Sequence, residues 1–177
     1  MKAVDRWLAE LAYTDFPDEL IRAGKPAGTR QYAAEIEEML APDRGIGATA
    51  VFCVGEQPTV CFIDATTLAQ PHEQRVEQIR QRVWNQNLAS VVLVLDPEGL
   101  AAYAVNDRNA APDTLASTEA ARRGHWSAYE VQSGFIKDRL SHWFMPEERV
   151  DQRLLANLRE VVKQLTKDGL SDSQAEA

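Results

Sequence analysis

Two acidic residues stand where a predicted β-strand ends. Asp64 follows the apolar run 59–63, and Asp96 follows the apolar run 91–95. An open α/β sheet often places functional carboxylates at such strand ends. A strand-end acid also closes turns and caps helices through its side-chain oxygens. Both residues are therefore candidates for metal chemistry and equally for ordinary backbone capping.

Metal-dependent cleavage of a phosphodiester gives these acids a specific test. That chemistry needs a strand-end Asp and, on the neighbouring strand, an acid two places before a Lys, so that metal and water meet the phosphate. Asp64 could be the first acid, with Glu35 or Glu37 of a preceding helix beside it. No predicted strand contains Glu/Asp-x-Lys. We therefore predict no catalytic residues for this reaction in the chain.

The glycine and histidine patterns add little chemistry. Gly-Ile-Gly at 45–47 leads from a predicted helix into a predicted strand, whereas a nucleotide-binding loop leads from a strand into a helix. We expect these glycines to ease a turn. His72, His125 and His142 lie far apart in sequence. We predict no metal ligands and expect the histidines at the surface or its boundary.

The two cysteines belong to neighbouring apolar runs. Cys53 lies in 48–54 and Cys61 in 59–63, and Gly-Glu-Gln-Pro joins the two runs in the manner of a β-hairpin. The cysteines could lie nearly opposite each other. We expect two small buried thiols. A disulfide or half of a zinc site is the alternative, although no CxxC or close His supports zinc.

Basic residues gather at two places. The first group, Arg75, Arg80 and Arg82, alternates with Glu73 and Glu77, which is typical of a solvated helix face. The second group combines cations with aromatic rings, which could contact a nucleic-acid backbone and stack on bases. Its members, our candidate nucleic-acid-binding residues, are Arg122, Arg123, His125, Trp126, Lys137 and Arg139.

Composition limits the class of protein. The formal net charge of −8 argues against a self-sufficient DNA binder, because phosphate neutralisation supplies most non-specific affinity. The N-terminus has no apolar signal-peptide core, and no apolar run is long enough for a membrane span. We therefore expect a cytoplasmic protein without membrane contact.

The predicted elements are those of a mixed α/β fold with four or more strands flanked by helices. We predict strands at 48–54, 59–64, 90–96 and 100–105, and helices at 4–11, 30–40 and 71–87. The strands are nearly wholly apolar, so both faces of the sheet should be covered. Residues 106–124 read as a long loop. A degenerate PD-(D/E)xK nuclease-like core is one form that this helix–hairpin–helix order resembles.

Three regions follow from these elements. Residues 1–125 are predicted to form the α/β core with its N-terminal helices. Residues 126–170 are predicted to form a C-terminal helical extension that leads to a missing downstream module. Phe135, Ile136, Leu140, Trp143 and Phe144 should share one apolar face there. Residues 171–177 are expected to be a flexible tail.

Two segments carry a resemblance to a known family. Residues 80–96, which read Arg-Gln-Arg-Val-Trp-Asn-Gln-Asn-Leu-Ala-Ser-Val-Val-Leu-Val-Leu-Asp, together with the strand 100–105, resemble the N-terminal domain of large N6-adenine DNA methyltransferases of restriction-modification and phage-defence systems. Residues 153–170 resemble the helix before the methylase module. Within the first segment we expect the structural motif Trp84, Asn85, Gln86 and Asn87 to close a helix, with Trp84 buried on the sheet and the amides satisfying terminal carbonyls.

The resemblance implies a non-catalytic accessory domain that helps to position DNA or a partner subunit. The chain contains no Asn/Asp-Pro-Pro-Tyr/Phe motif to hold a flipped adenine and no glycine-rich loop for S-adenosylmethionine. The resemblance therefore implies no cofactor in this chain, with S-adenosylmethionine bound only by a downstream module. Its partners would be DNA, held weakly and without sequence specificity, or a protein subunit. The alternative is an inactive nuclease-like scaffold that acts through protein–protein contacts.

Overall fold

The computed structural model describes residues 3–42, 45–68, 72–115 and 126–144. The chain divides into two units, residues 1–145 and residues 146–177, and only the first contains described residues. The predicted helix over 153–170 and the predicted tail 171–177 lie outside the described residues. The same holds for Arg122, Arg123 and His125.

The described residues form one mixed sheet of six strands, and the strands lie side by side in chain order. All neighbouring strands are antiparallel except β3 and β4, which are parallel. The prediction of a mixed α/β sheet is confirmed. The strands are β1 (Leu20–Arg22), β2 (Ala50–Val54), β3 (Gln57–Asp64), β4 (Val91–Asp96), β5 (Gly99–Ala104) and β6 (Asp113–Leu115).

The two edge strands, β1 and β6, were not predicted. Each has three residues, and β6 lies within the segment that we expected to be a loop. Neither has the long apolar run that marks the four inner strands. Short edge strands are held by pairing with a neighbour rather than by their own sequence preference.

Six helices are described, together with short 3-10 helices at Tyr13–Asp15 and Ala65–Thr67. The helix α3 connects β3 to β4, since parallel neighbours need a crossover connection. Its bounds agree with the predicted helix 71–87 to within a residue. The helices are α1 (Ala3–Glu10), α2 (Ala33–Leu40), α3 (His72–Gln86), α4 (Ala128–Ser133), α5 (Phe135–Arg139) and α6 (Ser141–Phe144).

Both faces of the sheet are covered, as the apolar strands predict. Alternate residues of β2, β3 and β4 point to opposite faces and enter two separate buried clusters. The first core includes residues of α1 and α4–α6 around Phe52, Phe62 and Leu93. The second core includes residues of α2 and α3 around Val51, Cys61 and Val92. The sheet is therefore the middle layer of three.

The described part of the predicted extension belongs to the core rather than to a separate region. Trp126, Val131, Ile136 and Trp143 all lie in the first core, so the folded unit does not end at residue 125. Phe135 departs from the predicted apolar face, because 67% of it is exposed. The helical spacing on which that face was predicted is broken at Leu140, whose non-helical backbone (φ −115°, ψ 45°) ends α5 before α6 begins.

The end of α3 differs from the expected cap. The amide N–H of Asn87, whose φ is 53°, donates to the carbonyl oxygens of Val83 and Trp84. Asn85 Oδ1 instead accepts from Gln81 Nε2 at 3.0 Å. Trp84 packs against the second core but is only half-buried. The helix thus ends with a left-handed residue and a backbone cap, not with side-chain amides.

Candidate functional site

Asp64 serves as a cap at the end of β3. Its Oδ1 accepts hydrogen bonds from the amide N of Thr66 at 3.0 Å and from Thr66 Oγ1 at 2.6 Å. The residue is only 6% exposed. These bonds start the 3-10 helix Ala65–Thr67 in the same way that an Asp starts an α-helix. The carboxylate that was a metal candidate is therefore engaged with its own chain.

Asp96 closes the turn between β4 and β5. Its Oδ1 accepts from the amide N of Glu98 at 3.1 Å, and its carbonyl oxygen accepts from Trp7 Nε1 at 2.7 Å. The second bond joins α1 to this end of the sheet. Asp96 itself is exposed. Within the described ranges, no three His, Cys, Asp or Glu side chains come together as a group that could hold a metal ion.

A groove of about 460 Å³ opens beside Asp96, on the face of the sheet that α3 covers. We call it the β4–β5 groove. It lies where the parallel strands β3 and β4 end, which is the usual position of a binding crevice in an open α/β sheet. The residues that line it are Ala65, Leu68, His72, Glu73, Val76, Val94, Asp96, Glu98, Gly99, Leu100, Ala101, Tyr103, Thr114 and Leu115.

The groove exists because its floor is made of small residues. Val94 pairs with Ala101, and Asp96 pairs with Gly99, so the floor beyond Val94 carries a methyl group at one position and no side chain at the other. The N-terminal part of α3 supplies Val76 as one wall. The volume falls within the range of about 300–1,000 Å³ that is typical of ligand sites.

The rim of the groove is acidic. Glu73, Asp96 and Glu98 are exposed there, and none of the three forms an ion pair with another described residue. Burial raises the pKa of the Tyr103 hydroxyl; nearby Arg80 opposes that shift, and Glu73 adds to it. The groove thus combines apolar walls with an acidic rim.

Arg80 is buried beside the groove and is wholly used in holding the fold. Its Nε and Nη2 donate to the carbonyl oxygen of Ala104 at 2.9 and 2.7 Å, and its Nη1 donates to Glu77 at 3.0 Å. Its guanidinium also lies 5.8 Å from the centroid of the Tyr103 ring. Glu77 pairs in addition with Arg108. Arg80 was expected on a solvated helix face, and its burial of all but 7% corrects that expectation.

The candidate nucleic-acid residues are only partly brought together. Trp126 is fully buried, and its ring packs beside that of Trp143 with centroids 5.5 Å apart, so it presents no face for base stacking. Arg139 pairs with Glu130 at 3.1 Å. Lys137 is exposed on α5. The exposed aromatic residues of this region are instead Tyr129 and Phe135.

The two cysteines are free thiols and both are buried in the second core. Cys61 pairs with Val51 in the hairpin, while Cys53 pairs with Pro58, so the cysteines are not direct partners. Burial raises the pKa of Cys53 to about 11 and that of Cys61 to about 12. The expected role as small buried thiols is confirmed.

Sequence reasoning did not find the β4–β5 groove. Its available signal was the pair of small residues, Gly99 and Ala101, on one face of an otherwise apolar strand. A comparison of the chain with protein-family models, curated proteins and solved structures finds no match. The described residues include no helix long and apolar enough to cross a membrane.

Proposed function

We propose that this chain is a non-catalytic, nuclease-like accessory domain of an N6-adenine DNA methyltransferase, which positions the enzyme through contact with a protein partner. The resemblance of residues 80–96 to the N-terminal domains of such enzymes supports the family. The observation that carries the mode of action is the β4–β5 groove, which is concave, apolar and acidic. An acidic apolar groove suits a protein partner better than a phosphate backbone.

The sheet topology supports a nuclease-like core. β2 is antiparallel to both β1 and β3. β4, which α3 connects to β3, pairs with β3 in parallel. α1 and α3 lie on opposite faces of this sheet. Helices on both faces of a mixed sheet are also what we expected for a nuclease-like core from the order of the predicted elements.

The end of β3 supports loss of catalysis in such a core. Asp64, the candidate first acid, is the last residue of β3, and neither of its neighbouring strands, β2 and β4, contains the Glu/Asp-x-Lys that phosphodiester cleavage needs. Thr66 donates two hydrogen bonds to the acid instead of orienting water. On the neighbouring strand, Ala50 and Val51 occupy the start of β2 and are fully buried. An apolar strand of this kind leaves no place for a second metal-binding carboxylate.

The natural gene provides the decisive test. We expect the reading frame beyond codon 177 to encode Asn/Asp-Pro-Pro-Tyr/Phe, and the full product to methylate adenine. A form that lacks residues 1–145 should still bind S-adenosylmethionine but methylate DNA at least tenfold more slowly. A frame without that motif, or a deletion that methylates at the full rate, would contradict the proposal.

A direct assay tests the absence of nuclease activity. The purified chain with Mg²⁺ or Mn²⁺ should leave plasmid DNA intact, and with S-adenosylmethionine it should transfer no methyl group. Cleavage that disappears in Asp64→Ala would overturn the proposal and identify an active nuclease. Glu98→Ala is the control, because it removes an exposed carboxylate of the same sheet end that was not a candidate for metal chemistry.

Weak DNA contact is the second candidate function. The observation that favours it is the segment α4–α5, which exposes Lys137 together with the rings of Tyr129 and Phe135. Tyr129 is held in place by Phe16, whose ring centroid lies 5.1 Å away, and by a hydrogen bond to Asp15. Exposed rings next to cations can stack on single-stranded bases.

Anisotropy titration with labelled single-stranded DNA at low ionic strength tests this second function. Arg122→Glu/Arg123→Glu and, separately, Lys137→Glu should each weaken binding, and binding should fall about tenfold or more by physiological salt. Equal binding by the wild type and the variants would leave a protein-facing surface as the function of this segment.

A further inference from the structure

We infer that the β4–β5 groove is a docking site for a segment of a partner protein in which apolar side chains are flanked by Lys or Arg. This inference deepens the proposed function and relies on it only for which protein supplies the segment. The shape of the groove predicts the apolar part of the ligand, and the charge of its rim predicts the basic part.

The shape selects the apolar half. Ala101 and Gly99 leave the floor open, while Val76, Val94 and Leu115 form apolar surfaces around it. A cavity of about 460 Å³ accommodates a large apolar side chain together with part of its backbone. Removal of these surfaces from water favours binding in proportion to the apolar area covered.

The charge selects the basic half. Glu73 lies at the first turn of α3, and Asp96 and Glu98 lie at the β4–β5 turn, on the rim of the groove. Arg80 bonds Ala104 and Glu77, and Arg6 donates to the carbonyl oxygen of Pro97 at the same turn, so the three rim carboxylates face one arginine there without a direct ion pair to it. The protein as a whole carries a formal charge of −8. A cationic segment is therefore attracted over distance and held at the rim, and an anionic one is repelled.

A peptide array provides the probe. Nine-residue peptides carry a central pair chosen from Leu, Ile, Met, Phe, Tyr and Trp, flanked by Lys and Arg. One control set has Glu in place of the basic residues, and another has Ala in place of the central pair. Binding to the purified chain is measured by fluorescence anisotropy at low and at physiological salt. We expect saturable binding by basic peptides with a large central pair, at least tenfold weaker binding by both control sets, and weaker binding at the higher salt.

Two variants assign the binding to the groove. Ala101→Trp fills the floor, and Glu73→Lys/Glu98→Lys reverses the rim. Each should weaken the best peptide at least tenfold. Glu37→Lys/Glu56→Lys makes the same change in net charge at exposed positions that do not line the groove and should bind within twofold of the wild type. If Ala101→Trp lowers stability, the rim variant still tests the inference. Circular dichroism reports whether each variant is folded.

Three outcomes would overturn the inference. They are no saturable binding by any basic peptide, equal binding by the Ala-centred set, and equal loss in the two double variants, which would indicate only general attraction to an acidic protein. The array contains no methyltransferase, so its failure is distinguishable from failure of the proposed family. Conversely, if the peptides bind and the gene encodes no methylase, the docking site is supported and the proposed methyltransferase family is wrong.

Discussion

The indole Nε1 of Trp126 donates a hydrogen bond of 2.8 Å to Oδ2 of Asp113 and so joins the start of α4 to the edge strand β6. The carbonyl oxygen of Trp126 also accepts a hydrogen bond of 2.9 Å from the Tyr13 hydroxyl. Trp126 therefore ties together an N-terminal 3-10 helix, the last described strand and the C-terminal helices. A residue whose type and neighbours favoured nucleic-acid stacking is instead a central part of the first core.

The first prediction concerns this hydrogen bond. Trp126→Phe keeps an aromatic ring in the core but removes the donor, which leaves the half-buried carboxylate of Asp113 without its partner. We expect the free energy of unfolding to fall by about 1–3 kcal/mol. Urea denaturation followed by circular dichroism measures it. Phe135→Leu, at an exposed ring, is the control and should change stability by less than about 0.5 kcal/mol. A Trp126→Phe variant as stable as this control would contradict the prediction.

The second prediction tests the central strand. Val92 is fully buried in the second core, so Val92→Asp would place a charge there without a partner and should prevent folding. Thr114→Asp is the matched control, since Thr114 is exposed on β6 of the same sheet. We expect the control to melt cooperatively and the Val92 variant to show no thermal transition. A Val92→Asp protein with the wild-type midpoint would remove β4 from the core.

The third prediction concerns Arg80. Arg80→Met removes both hydrogen bonds to the carbonyl oxygen of Ala104 and should lower the free energy of unfolding by about 1–3 kcal/mol. Arg80→Lys should restore only part of this, because an ammonium group cannot reproduce the planar fork. Arg75→Met serves as the control, because the hydrogen bond of its guanidinium is to the exposed side chain of Gln78. Full recovery of stability in Arg80→Lys would show that charge alone matters at this position.

The fourth prediction is a loss of stability in alkali. Burial raises the pKa of Cys53 to about 11 and of Cys61 to about 12, above the ordinary thiol value of about 8.5. Between these values the unfolded chain loses thiol protons while the folded chain retains them. Each thiol should therefore lower the free energy of unfolding with increasing pH, by up to about 1.4 kcal/mol per pH unit. At pH values below the pKa of the thiols in the unfolded chain, the two thiols should not make the free energy of unfolding depend on pH.

Urea titrations between pH 7 and pH 10.5 measure this slope. Cys61→Ala should reduce it, although the variant should also be less stable at neutral pH because it loses buried volume. Tyr13, whose pKa is also raised by burial, contributes in the same direction at the upper end of the range. A slope that is identical in the wild type and in Cys61→Ala would show that this thiol ionises alike in the folded and unfolded states.

The inner part of the fold could be predicted from the sequence, because long apolar runs and helical spacing report burial directly. β4 consists of Val and Leu up to Asp96, β3 contains the apolar run 60–63, and both were predicted with coverage on two faces. The hairpin turn at Asp96 and the helix α3 follow from local turn and periodicity signals. These features depend on residues that are neighbours in the chain.

Tertiary structure alone decided the features that depend on distant partners. The edge strands exist because β2 and β5 offer unpaired backbone groups, and Arg80 is buried because Ala104, 24 positions away, presents a carbonyl oxygen to it. The β4–β5 groove likewise forms from α3, β4, β5 and β6 together. Sequence spacing determines which side chains share a face of one element, whereas the packing of elements against each other determines whether a Trp fills a core or contacts a ligand.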